Sequence, residues 1–382
     1  MMYAYPVQFP IFGNLLHSHS HFAILGWLYN VLFIGLVFTY SAGQENARRY
    51  NILFYITQVS IIGMLFTFAW QGYAAFSIAF STLHIFCSYV FIFFMLKDLS
   101  AIKIETLSLK FIYGALFFLF LSSLAPWGLV AVTVNGLPEP DLYRQIIYFY
   151  LHFQYNGWFV FAFIGLWLRY FEKQGAKFDE KTSKLAFNIL FYSNLGAYVL
   201  SLLGFRIPGY VYAIGIFCGF AQLIGVRYLY RLLFAAEVKA FTSKGGTAQL
   251  LFRFSFFALL LKYLMQLISS VPQIGYNAFI IRDITIGYIH LVMLGVMTIG
   301  MLGWLYANDK LDLSNIFAKA GLGLLLISFV ASELLLLYPA VIGWFGSSAI
   351  GNSVYYLFIL SVFMMLASML IFISRFVKPR VS

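Results

Sequence analysis

The chain has 382 residues, of which 62% are hydrophobic and only 10% charged, with a mean hydropathy of +0.88. A water-soluble fold of this length has no interior large enough for so much apolar surface, which excludes that class. The formal net charge of +11 suggests nucleic acid as a partner. The basic residues, however, gather at the ends of apolar runs, so nucleic-acid binding is set aside.

The apolar runs recur at lengths suited to bilayer-crossing helices and lack the strict alternation of a lipid-facing barrel. Their spacing predicts an all-α polytopic membrane bundle of about eleven transmembrane helices, forming one integral membrane domain over 1–382. The spans fall at roughly 17–40, 51–72, 75–96, 107–132, 144–169, 185–204, 208–231, 250–270, 284–306, 316–339 and 352–375. Polar, Gly and Pro clusters separate them. No basic segment precedes the first run, so a cleaved signal peptide is not expected. No convincing internal repeat is evident. Cys87 and Cys218 stand alone in predicted helices and read as packing thiols, without a disulfide framework or a metal motif.

Lys and Arg follow the odd-numbered spans: Arg48 and Arg49, Lys97 to Lys110, Arg169 to Lys184, Arg227 to Arg253, Lys310 and Lys319, and the C-terminal tail. Only Arg144, Arg206, Arg282 and the intramembrane Lys262 depart from this. The positive-inside rule then puts the N-terminus outside and the C-terminus in the cytoplasm.

All six histidines lie inside apolar spans: His17, His19 and His21 on the first, His84 on the third, His152 on the fifth and His290 on the ninth. These four spans run in the same direction, and each histidine lies within about ten residues of the outer start, a depth in the outer half of the bilayer. Intramembrane ionisable residues are costly and usually face a site, and imidazole is the commonest metal ligand. His17 and His21 share a helix face, with His17 nearer the interface. His19 points to the other side, so the helix suits two flanking sites better than one chelate. Lys262, Gln266 and Ser269 share a face at i, i+4, i+7 spacing, and with Glu333 they are candidates for proton handling. Each group also has a plainer reading: His84 as an interhelical hydrogen-bond partner, Glu333 as the ion-pair partner of Lys262 or an outer Arg, and the aromatics as packing and interfacial belt.

The segment His19-Ser20-His21-Phe22-Ala23-Ile24-Leu25-Gly26-Trp27 resembles the H-x-H-x-x-x-L-G-W helix of the haem–copper oxidase superfamily, particularly its C-family oxidases. Two further stretches resemble helices of that superfamily and its shorter relatives: Tyr150 to Trp158 around His152, and Gly287 to Gly295 around His290. A related similarity is to the nitric-oxide-response haem membrane proteins. The resemblance implies a core of twelve spans that has lost its first, with metal centres towards the outer face of a bacterial inner membrane. It implies one or two haems held non-covalently, since no CxxCH motif is present.

His21 and His290 are the first candidates for axial ligands under that resemblance, followed by His19 and His152. His84 is a further metal ligand or a positioning partner, and Tyr148, Tyr155, Asn156 and Tyr288 are candidates to orient the imidazoles. The implied activity is that of an oxidoreductase in electron transport or a respiratory chain, of the oxidase or nitric oxide reductase type, acting on O2 or NO with a redox partner. The chain departs from the pattern in three ways. The H-x-H pair sits in the first span instead of near the end, Tyr155 is only three residues after His152, and no adjacent His-His pair supplies copper ligands. Haem without copper therefore fits better. The alternatives from other classes are a non-haem metal protein or transporter using the clustered histidines, and a scaffold whose histidines only pack.

Overall fold

The computed structural model describes residues 11–41, 44–135, 140–205, 207–241, 245–344 and 352–376. Arg206, Lys244, Lys378 and Arg380, which entered the count of basic residues, lie outside them. Every regular element among the described residues is helical. In chain order the helices are α1 (Phe12–Tyr40), α2 (Gln44–Gln71), α3 (Ala75–Ser100), α4 (Leu107–Val134), α5 (140–173), α6 (Glu180–Leu202), α7 (Gly209–Ala240), α8 (Gly245–Ser269), α9 (Pro272–Ile280), α10 (Arg282–Ala307), α11 (Ile316–Trp344) and α12 (Ser353–Phe376). The protein is thus an all-α membrane protein in which, among the described residues, ten helices are long and apolar enough to cross a bilayer.

Ten candidates replace the expected eleven, and the difference lies at 144–169. A long helix forms there as α5, yet it is missing from the ten because His152, Gln154 and Asn156 lower its hydropathy. Those polar residues are tolerated because the helix has no lipid-facing side: every residue from His152 to Leu168 is buried. A helix enclosed on all sides is defined by packing, not by an apolar stripe.

The helices cluster into two compact units, residues 7–239 and 240–382. In the first, α5 is central. α4 packs along it, α1 and α6 touch it, and α2 pairs with both α1 and α3. α4 is interrupted at Ser123, where Pro126 three residues on lacks an N–H and its ring crowds the Ser122 carbonyl. α6 tightens into a 3₁₀ turn over Ala197–Leu202. In the second unit α8 packs on α10, α10 on α11, and α11 on α12, with the short α9 bridging α8 and α10.

Three helices carry π-helical stretches, at Phe22–Leu28 in α1, Phe153–Phe159 in α5 and Leu291–Thr298 in α10. Each stretch begins at the residue after a histidine: His21, His152 or His290. Each also holds a glycine five residues after that histidine: Gly26, Gly157 or Gly295. At each glycine another helix comes close. A methyl group built on Gly26 would stand 3.2 Å from Ile61, on Gly157 2.5 Å from Phe118, and on Gly295 2.8 Å from Phe329. The recurrent H-x-x-x-x-G is an internal repeat in sequence and backbone that hydropathy patterning conceals. π turns inside α-helices occur frequently at functional sites.

Candidate functional site

α1 presents its histidines on two sides. His17 and His21 face α2 and the turn that follows it: the His21 ring stacks on Phe68 of α2 at 4.1 Å between centroids, and His17 meets Tyr73 of the turn edge-on at 4.8 Å. Between them Ser18 is buried and donates to the Leu65 carbonyl at 2.7 Å, fixing α1 on α2. His19 is on the exposed side of the helix. The opposed directions expected for His19 and His21 are therefore realised.

The His21 Nδ1 lies 2.9 Å from the His17 carbonyl oxygen, one turn back. A carbonyl only accepts, so Nδ1 carries the proton and the neutral ring keeps its lone pair on Nε2. Metal-bound imidazoles are typically held in this way, with the distal N–H tied to a backbone carbonyl or carboxylate.

His152 is arranged differently. Its Nε2 donates to the Asn194 carbonyl at 2.8 Å, and its Nδ1 accepts from the Asn156 side chain at 3.1 Å. Both ring nitrogens are engaged by protein, and the ring packs among Phe153 and Tyr198. Asn156, a candidate to orient an imidazole, is thus a hydrogen-bond partner of the His152 ring. Tyr155 stacks on Phe159, and Tyr148 packs on Phe205, 5.9 Å away.

His84 on α3 is fully enclosed, at 2% exposure. Its ring meets Tyr29 of α1 edge-on at 4.6 Å, and Tyr29 in turn lies 6.3 Å from Trp158 of α5. The His84 Nε2, the Tyr29 hydroxyl and the Trp158 indole N–H are buried without a hydrogen-bond partner among the described residues. Tyr29 and Trp158 were not anticipated, because an aromatic within an apolar run carries no signal that its polar end will be orphaned.

In the second unit, His290 and Tyr288 lie near the π turn of α10. Glu333 of α11 approaches that helix one turn earlier, where its Oε2 would be 3.7 Å from a methyl group on Gly287. Glu333 is 9% exposed and its Oε1 has no hydrogen-bond partner among the described residues. Lys262 of α8 is wholly buried, with Nζ 3.6 Å from the centroid of the Tyr263 ring. Among the described residues the Lys262 Nζ also has no hydrogen-bond partner, and Lys262 and Glu333 form no ion pair. Gln266, one turn from Lys262, is buried with its Oε1 unpartnered among the described residues, and Ser269 donates to the Gln266 carbonyl at 2.8 Å. The polar face read from the i, i+4, i+7 spacing is therefore turned largely inward.

Among the described residues, no three side chains of His, Cys, Asp or Glu converge as a shared metal ion would require. Cys87 and Cys218 are free, buried thiols, as expected of packing residues. The residues that sequence reasoning missed include Asn194 and Gln222, both buried, whose only signal was an amide inside an apolar run. No protein-family model matches the chain, and no curated protein matches its sequence.

Proposed function

We propose that the chain is a haem-binding integral membrane protein of the haem–copper oxidase type, handling electrons or a diatomic gas near the outer face of the membrane. The observation that carries this reading is His21, whose Nδ1 proton is held by the His17 carbonyl so that Nε2 is left to bind iron. The same H-x-x-x-x-G π element at His290 supports it as a further axial ligand. Haem bound at either imidazole would supply one-electron or gas-binding chemistry at the iron. His19 offers its ring on the other face of α1. His84, with an unpartnered Nε2, offers a further nitrogen. His152, tied at both nitrogens, serves better to hold α5 against α6 than to bind metal. α5 is the eleventh span of this reading, with the N-terminus outside and the C-terminus cytoplasmic. Lys262, Gln266 and Glu333 are its proton-handling groups.

Absorption spectroscopy of protein purified from haem-replete cells tests the reading. A Soret band that sharpens with α bands on dithionite reduction is expected, and it should be lost or shifted in His21→Ala. Retention of the full haem spectrum in His21→Ala and His290→Ala would remove both as ligands. A colourless preparation carrying stoichiometric zinc or copper would instead favour a non-haem metal protein. Absence of both signals, with the histidine variants behaving as wild type, would leave a scaffold.

A further inference from the structure

α7 lies along α6 in an antiparallel register fixed by three close approaches. Gly225 meets Leu190 and Ile189, Gly196 meets the Cys218 thiol, and Gly215 meets Leu200. Gln222 stands on the same stripe of α7, one turn from Cys218 and one from Gly225, which sets it against the level of residues 192–194 of α6. Asn194 lies between the side of α6 that meets α7, at Leu190 and Gly196, and the side whose Tyr198 meets His152 of α5. The register of these approaches puts Gln222 level with residues 192–194 of α6, where the Asn194 carbonyl accepts from His152.

Gln222 is 0% exposed and Asn194 1%. All four of their amide atoms, Nδ2 and Oδ1 of Asn194 and Nε2 and Oε1 of Gln222, lack a hydrogen-bond partner among the described residues. The same unit contains a contrasting pair within α1 and α2. There Asn30 and Gln58 each donate to the other's carbonyl oxygen at 3.0 Å, so amides that can reach one another do pair. Buried polar groups left unsatisfied by protein are normally met by bound water, in sites with two to four polar partners. An anion would be matched by donors alone and a cation by acceptors alone. Two amides offer both in equal measure, which is the complement of a neutral molecule that also donates and accepts.

We propose that Asn194 and Gln222 bind a small cluster of water molecules between α6 and α7, next to the Asn194 carbonyl that accepts from His152. This inference does not depend on haem. It assigns a role to two residues that the axial-ligand reading does not use.

The test is radiolytic hydroxyl labelling of the full chain in lipid nanodiscs, read by mass spectrometry, with Cys218 as the reporter one turn from Gln222. Bound water should oxidise the buried Cys218 despite its enclosure, and labelling should fall several-fold in the double variant Asn194→Leu, Gln222→Leu. Unchanged labelling in the double variant, or none in wild type at a dose that oxidises exposed methionines, overturns the proposal. If the double variant does not fold, a high-resolution density map of the wild type decides. Water peaks within hydrogen-bonding distance of both amides uphold the site. Direct amide–amide pairing with no density between them overturns it.

Discussion

Gly157 is the tightest of the three glycines that follow the π-initiating histidines, and Gly157→Ala measures how closely α4 and α5 depend on it. A methyl group there would lie 2.5 Å from Phe118 Cβ and 2.6 Å from its Cγ. These atoms are the root of the side chain and cannot swing aside. Phe118 is itself wholly buried, with its ring against Phe153, Phe161 and Phe191 at 5.7, 5.0 and 5.1 Å. Relief therefore requires the two helices to separate by about 1 Å to restore ordinary contact at ~3.5–4.0 Å. Overpacking of this kind costs about 1–3 kcal/mol, and the close backbone contact places Gly157 at the upper end. The helix propensity gained by alanine offsets at most about 1 kcal/mol. The net expectation is a loss of about 1–2 kcal/mol, seen as a lower apparent Tm in fluorescence-monitored melting in detergent at a fixed scan rate. Gly26→Ala should cost less, because the nearest atoms are the Ile61 methyl and the Phe22 ring edge, both at 3.2 Å and free to adjust. A Gly157→Ala protein that melts at or above wild type, or an inverted order of the two variants, would refute the view that these glycines exist to admit a neighbouring helix.

Lys262→Met should raise thermal stability, because it replaces a buried amino group that has no hydrogen-bond partner among the described residues by an apolar chain of similar length. A lower Tm would reveal a counter-charge that the proposed proton-handling role requires. Asn30→Leu and Gln58→Leu should each destabilise, and a double-mutant cycle by melting should give a coupling of about 0.5–2 kcal/mol, with additivity excluding the reciprocal amide pair. Asp98→Ala should lower the Tm more than Glu105→Ala. Asp98 accepts from both Arg49 and Tyr50 and is nearly enclosed, whereas Glu105 is almost fully exposed beside Lys110. Equal shifts would mean that enclosure adds nothing to the Arg49–Asp98 pair. Asn156→Leu should lower stability by about 1–3 kcal/mol by removing the donor to His152 Nδ1, and an unchanged melting curve would argue that this bond is replaceable by water.

Hydropathy alone located the ten candidate spans, because bilayer thickness sets the length of an apolar run and that length is a local property. The opposed faces of His19 and His21 were equally legible, since two residues of helix turn a side chain to the far side whatever surrounds it. The central helix α5 was marked as a span, yet nothing local announced that it is enclosed from His152 to Leu168. Enclosure depends on α1, α4 and α6 arriving from elsewhere in the chain. The H-x-x-x-x-G element was present in the letters three times, but only the close approach of Ile61, Phe118 and Phe329 gives the glycines their meaning.

Which imidazole keeps a free nitrogen was decided by tertiary structure. His21 and His152 occupy equivalent positions in their π elements, yet one is held at a single nitrogen by its own helix, while the other gives both to Asn156 and to α6. Likewise, no spacing rule distinguishes the paired Asn30 and Gln58 from the orphaned Asn194 and Gln222. Spans follow from solvent and periodicity along the chain, whereas the partner of a buried polar atom is fixed only when distant helices dock.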